Sequence, residues 1–212
     1  MVGKVPELLV ISDRHQARHD LEQIAERTFS AGLRNFMLRD KDLANTERRA
    51  LAERLCELAC RHLGRVLING DWSLAAEVDA AGVHLQHPGD IPLARAALGD
   101  AAVIGVSAHS RKDIVAAAAE GADYATLSPV FATESKPGYG PALELDGLRR
   151  MTDGIAPPVL ALGGVTAANA RDCLSAGATG LAVMGEVMRA EAPEETVRQL
   201  LQAIRGSAPG TA

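Results

Sequence analysis

This sequence predicts an α/β chain folded as a single (β/α)8 barrel, and three observations predict it. Eight short apolar runs alternate from end to end with segments of helical spacing. Most of these runs are almost continuously apolar, as expected of parallel strands covered on both faces. The seventh and eighth, Val159-Leu160-Ala161-Leu162-Gly163-Gly164 and Gly180-Leu181-Ala182-Val183-Met184-Gly185, end in glycine just before a helical pattern. Bare backbone N–H groups beside helix N-termini make a seat for a phosphate monoester. In a TIM barrel that seat often follows strands seven and eight.

The strands are predicted at 8–12, 35–39, 65–69, 82–85, 103–107, 124–128, 159–163 and 180–184. After the first, Leu21, Ile24, Ala25 and Phe29 keep one helical face apolar, and Leu51, Leu55, Leu58 and Ala59 do the same after the second. Ser110-Arg111-Lys112-Asp113 resembles a capping box that opens the helix after strand five. Thr166 is placed to cap a helix starting at Ala167. Pro193 suits a first helical position, and Val197, Leu200, Leu201 and Ile204 follow it at helical spacing. Gly32, Gly82, Gly121 and Gly177 each lie between a helix and the next strand, where glycine ends a helix in the left-handed conformation. Residues 1–205 are read as one barrel and 206–212 as a frayed tail of small residues. An open doubly wound sheet is the alternative, because periodicity alone does not show closure.

Composition narrows the function classes. A chain of 212 residues, 47% hydrophobic and 23% charged, suits one domain with a sizeable core. Aromatics are only 3%, so Ala, Leu, Val and Ile must build that core. A net charge of −5 argues against a general nucleic-acid or anionic-membrane surface, and an anionic small substrate would need local positive charge. No run approaches the roughly 18 apolar residues of a membrane span, and the N-terminus has no signal-peptide core. Cys56, Cys60 and Cys173 form an odd, sparse set that suits a reducing cytoplasm. Cys56, Cys60 and His62 fall in a helical segment without a second ligand pair, so they read as packing residues rather than a metal site.

Functional groups in a barrel belong where strands end. Arg39 and Lys41 alternate at the end of strand two and face one way, with Lys136 approaching from the long loop 133–140. Three cations facing a glycine seat would suit a phosphorylated substrate; a solvated, internally ion-paired Arg39-Asp40-Lys41 is the alternative. His109 directly follows strand five and is the acid–base candidate, against the alternative of a histidine bonded to backbone at the rim. His84 lies inside strand four and reads as barrel filling, and His87 has a usable loop position but no identifiable partner. The loop itself, rich in glycine and hydroxyls, has the composition of a segment that closes over substrate. An aspartate at Gly164 is expected to weaken anion binding far more than folding.

These residues carry a resemblance. Val10-Ile11-Ser12-Asp13-Arg14, Met37-Leu38-Arg39-Asp40-Lys41, Gly82-Val83-His84-Leu85, Gly105-Val106-Ser107-Ala108-His109-Ser110 and Gly121-Ala122-Asp123-Tyr124 occur in this order. With Ser128-Pro129-Val130-Phe131-Ala132-Thr133-Glu134-Ser135-Lys136-Pro137-Gly138 and the Gly163-Gly164 turn, the chain resembles the family of thiamine phosphate synthase and its TenI-type thiazole tautomerase branch from about residue 8 to 187. The resemblance implies a TIM barrel that binds the phosphate of a hydroxyethylthiazole at Gly163, Gly164, Met184 and Gly185. It implies substrate contacts from Arg39, Lys41, Asn69, Ser107, Thr133, Ser135 and Lys136. In the synthase, diphosphate leaves a hydroxymethylpyrimidine, assisted by magnesium, and the thiazole nitrogen captures the cation.

Departures from the synthase pattern point to the other branch. Met37 stands where the synthase has glutamine, and Asn69-Gly70-Asp71 where it has Asn-Asp-Arg. Gly70 therefore removes a magnesium carboxylate, and Asp71 replaces a diphosphate-binding arginine. Asp90 survives only in a shifted register, so Asp71 and Asp90 are metal candidates only if the synthase reading holds. Asn69-Gly70 looks like the TenI branch, whose implied reaction aromatises a dihydrothiazole carboxylate phosphate by proton transfer, with His109 as the acid–base residue and no cofactor. The expectation is a cytoplasmic tautomerase acting on a small thiazole phosphate. Synthase and non-catalytic phosphate-binding paralogue are the alternatives, and a homo-oligomer is left open.

Overall fold

The computed structural model describes residues 5–133 and 141–206. Strands β1 (Leu8–Ile11), β2 (Asn35–Leu38), β3 (Arg65–Asn69), β4 (Gly82–Leu85), β5 (Val103–Ala108), β6 (Tyr124–Leu127), β7 (Val159–Leu162) and β8 (Gly180–Val183) pair in chain order as a closed parallel barrel. β8 returns beside β1, with Leu8, Leu9 and Val10 opposite Leu181, Ala182 and Val183. This settles closure against the open sheet. The outer ring consists of α1 (Leu21–Ser30), α2 (Asn45–Arg61), α3 (Trp72–Glu77), α4 (Ile91–Leu98), α5 (Arg111–Ala119), α6 (Glu144–Thr152), α7 (Ala170–Ser175), α8 (Gly185–Met188) and α9 (Pro193–Arg205). No helix among the described residues is long and apolar enough to cross a membrane.

Alternation along the strands divides the molecule into two cores. Leu8, Val10, Phe36, Leu38, Val66 and Ile68 point outward and meet the helix faces of Ile24, Phe29 and Leu55. Leu9, Ile11, Met37, Leu67, Val103, Tyr124, Leu160 and Ala182 pack together as a separate cluster within the barrel. Most strands are thus apolar on both faces, which is why most of the strand runs read as continuous.

Register then sorts the interior by chemistry. Asn69, His84, Gly105 and Tyr124 stand opposite one another across β3 to β6, with Ser107 beside Thr126 two residues further along. Polar inward groups therefore gather on the β3–β6 side, while the glycine ends lie at β7 and β8. Gly105 is fixed by close approach, because a Cβ there would lie 2.1 Å from the Tyr124 ring.

Two local expectations are corrected. Thr166 does not cap a helix at Ala167; its N–H donates to Asn169 Oδ1 at 2.9 Å, and α7 starts only at Ala170. Gly82 opens β4 instead of ending α3, and Asp79 takes the left-handed conformation with φ of 50°. Ser110 does cap α5, accepting from the Asp113 N–H at 3.3 Å.

Candidate active site

Two cavities meet at the C-terminal mouth of the barrel and share Ile11, Arg39, Ser128 and Leu162 as walls. One is lined by Gly163, Gly164, Met184, Gly185, Thr133 and Thr166, with Arg39 and Arg189 at its edges. The other, about 560 Å³, is lined by Lys41, Asn69, His84, Ser107 and His109; that volume lies within the range of small-molecule sites. Every described residue singled out in the sequence as a substrate, phosphate or acid–base group borders one of the two. Ser135 and Lys136 lie outside the described residues, as does most of the loop read as a lid.

Arg39 owes its placement to the neighbouring strand. Its N–H donates to Ser12 Oγ at 2.8 Å, Ser12 Oγ donates to Asp40 Oδ2 at 2.5 Å, and the Arg14 N–H donates to Asp40 Oδ1 at 2.7 Å. Asp40 is buried by these contacts. Its carboxylate is held by the β1 end, so the internally ion-paired, solvated loop is not what forms. Arg39 and Lys41 both reach the mouth.

His109 is exposed on the cavity wall. Its Nδ1 lies 2.9 Å from the Ser128 carbonyl oxygen. A carbonyl only accepts, so Nδ1 carries the hydrogen and the neutral ring keeps its basic lone pair on Nε2. The His109 N–H donates to Asp113 Oδ2 at 2.9 Å, fixing the backbone below the ring. Burial opposes ionisation of Asp113, yet hydrogen bonds from His109 and Ser110 hold its carboxyl below the ordinary value.

His84 fills the barrel as its position in the strand indicated, and it also borders the larger cavity. Nδ1 is 3.1 Å from the Tyr124 hydroxyl and Nε2 is 3.0 Å from Ser107 Oγ. Burial, reinforced by the charge of Lys41, pushes the imidazole down to about 3, so the ring is neutral. Asn69 Nδ2 donates to the His84 carbonyl at 3.3 Å, while its buried Oδ1 has no partner among the described residues.

The metal candidates do not converge. The Asp71 carboxylate caps α3, accepting from the Leu74 N–H at 2.9 Å, and it also pairs with Arg48. It lines a cleft between α2 and α3 rather than the mouth, and Asp90 borders neither mouth cavity. Among the described residues no three His, Cys, Asp or Glu side chains gather as a metal set. With Gly70 offering no side chain, the ends of β3 and β4 do not fit a magnesium ion, which needs oxygen ligands in near-octahedral array.

The seat at β7 is tighter than its composition indicates. Gly164 has φ of 62°, and a Cβ there would lie 2.6 Å from the Ala132 carbonyl oxygen and 2.7 Å from Phe131 Cβ. An aspartate at 164 would therefore disturb folding as well as the anion seat, contrary to the expectation from charge alone. Asp113, Ser128, Thr166 and Arg189 also border the cavities, and the sequence alone gives none of these side chains a site role. Asp113 and Thr166 are visible in the sequence only as caps, and no local pattern marks Arg189.

The chain matches the family described as thiamine monophosphate synthase over residues 8–187. A putative thiamine-phosphate synthase of Geobacter sulfurreducens is 40% identical, covering 92% of this chain and 92% of that protein. The thiamine-phosphate synthase of Geobacillus kaustophilus is 36% identical over 87% and 85% of the two chains. Among solved structures, a thiamine phosphate pyrophosphorylase from Pyrococcus furiosus superposes with a TM-score of 0.82 at 28% identity, covering 95% of this chain and 96% of that one. These names speak for the synthase, the alternative in the sequence reading, and none of the three names a tautomerase.

Proposed function

Because the chain belongs to the thiamine monophosphate synthase family and is an enzyme of thiamine biosynthesis, we propose that it holds a thiazole phosphate across the two cavities and aromatises a dihydrothiazole precursor by proton transfer. Backbone N–H groups at 163–165 and 185–186 take the phosphate oxygens, and Arg39 adds a charge-assisted bond from the shared wall. The ring then lies in the larger cavity between Ser107, Asn69 and His109. His109 Nε2 removes a proton from the saturated ring carbon of a dihydrothiazole bearing an exocyclic C=C and, as imidazolium, returns it to the exocyclic carbon, so that the double bond moves into the ring. No group leaves and no electron acceptor is required.

The observation that carries this reading over pyrimidine–thiazole joining is the end of β3. Gly70 supplies no carboxylate, and Asp71 is committed to the α3 cap and Arg48. Joining is the second reading. The names of the relatives favour it, and Arg39 and Lys41 would then face the departing diphosphate.

A paired assay with the substrates of both reactions, with and without magnesium, tests the choice. Aromatic thiazole should form without metal. His109→Ala should slow it by on the order of 10²–10⁴-fold while leaving phosphate affinity unchanged. Efficient magnesium-dependent thiamine phosphate formation by the wild type overturns the choice in favour of joining. Tight phosphate binding without either turnover would identify a binding protein.

A further inference from the structure

Arg189 is the cation of the glycine-lined cavity that the family resemblance does not assign. It follows α8 directly, four residues after Gly185. Helical side chains lean towards the N-terminus, so a residue four positions on covers the first turn, where the Gly185 and Glu186 N–H groups lie. The side chain borders the same cavity as Gly163, Gly164 and Arg39.

A relay from the β1 loop holds the guanidinium. Arg189 Nη1 donates to Gln16 Oε1 at 2.5 Å, and Gln16 Nε2 donates to Asp13 Oδ2 at 2.6 Å. The Gln16 N–H also donates to the Asp13 carbonyl at 3.1 Å. Gln16 is therefore fixed at both ends of its side chain, and its amide orientation follows from its partners. The chemistry of this hold matters. A neutral amide aims the guanidinium without neutralising it, whereas a carboxylate at position 16 would cancel the charge. Asp13, which is charged, stands one step further away.

The charges around the cavity include Arg39 and Arg189 against Glu186. Among the described lining residues, two guanidinium groups and one carboxylate put positive charge in excess, in a protein whose net charge is −5. Each fork matches a pair of phosphate oxygens in geometry. From this arrangement we infer that Arg189 is a second anion-binding side chain, positioned by Gln16, and that it selects a phosphate monoester over the corresponding alcohol. The inference rests on the reading of this cavity as the phosphate seat.

Calorimetric titration with hydroxyethylthiazole phosphate, inorganic phosphate and unphosphorylated hydroxyethylthiazole separates the two claims. Arg189 is exposed, so its contribution is partly screened, and Arg189→Met should weaken both phosphate ligands by about tenfold. Affinity for the alcohol should be unchanged. Arg189→Lys keeps charge but loses the fork and should fall between. Gln16→Ala keeps the guanidinium but frees it, and should weaken phosphate binding severalfold at an unaltered melting temperature. Wild-type phosphate affinity in Arg189→Met and Gln16→Ala overturns the role of Arg189 while leaving the phosphate seat standing. Failure of the wild type to bind either phosphate ligand overturns both.

Discussion

His84 shows what one buried side chain does to the molecule as a whole. Its ring lies between Tyr124 and Ser107, with the Lys41 ammonium nearby, and is held neutral down to about pH 3. In the unfolded chain the same imidazole titrates at its ordinary 6.5. Between these two values the unfolded state takes up a proton that the folded state refuses, so stability must fall as pH falls through that window and is complete above it. Urea unfolding of wild type and His84→Gln at pH 7, 6, 5 and 4 measures this. The wild type should lose stability more steeply on acidification, because the variant lacks the group that gains a proton. Parallel slopes would show that the ring does not resist protonation in the fold. From the sequence His84 was legible as barrel filling within a strand, but its partners were not. Its partners lie 23 and 40 residues away, and no local pattern announces them. Asp71 was illegible for a similar reason: it reads as a displaced metal carboxylate until Arg48 and the Leu74 N–H are seen to hold it.

Elements were legible where burial is one-dimensional. Every strand carries apolar residues on its outer face and most carry them on both, so all eight emerge within about one residue of their ends. Loop corners were not, because their conformation depends on what packs against them. The turn after β7 illustrates this and can be measured against a control. Gly164 and Gly154 have nearly the same φ, 62° and 60°, but a Cβ at Gly154 meets nothing within 4 Å. Gly154→Ala should therefore show backbone strain alone, about 1–2 kcal/mol. Gly164→Ala adds a collision with the Ala132 carbonyl and Phe131, a further 1–3 kcal/mol or so of overpacking. Denaturant unfolding of the two variants reads the difference directly. Equal losses would mean that the corner can relax, and that the glycine is required for the ligand alone. The same packing holds the backbone at Gly163 and Gly164 closely against residues 129–132.

At the scale of the whole molecule the decisive event is closure, which periodicity could not distinguish from an open sheet. Closure is made by the β1–β8 pairing and covered by the last helix. α9 buries Val197, Leu200 and Leu201, packs on α1 and α8, and is tied to α1 by Arg27 and Glu194 at 2.6 Å. The apolar term and the ion pair differ greatly in weight. Three buried aliphatic side chains stabilise by roughly 1.5–3 kcal/mol each, a sum comparable with the typical net stability of about 5–15 kcal/mol. The Arg27–Glu194 pair is partly exposed and contributes about 1 kcal/mol at most. Glu194→Gln should accordingly shift the unfolding midpoint only slightly. A chain ending at residue 192 should lose the barrel, not just the helix, because the uncovered seam joins first strand to last. It should also lose phosphate affinity, since α8 and Arg189 lie between β8 and the missing helix. Circular dichroism with urea titration distinguishes the outcomes. A cooperative transition near the full-length midpoint in the shortened chain would show that strand pairing alone holds the barrel closed, and that α9 is an addition to a seam already stable.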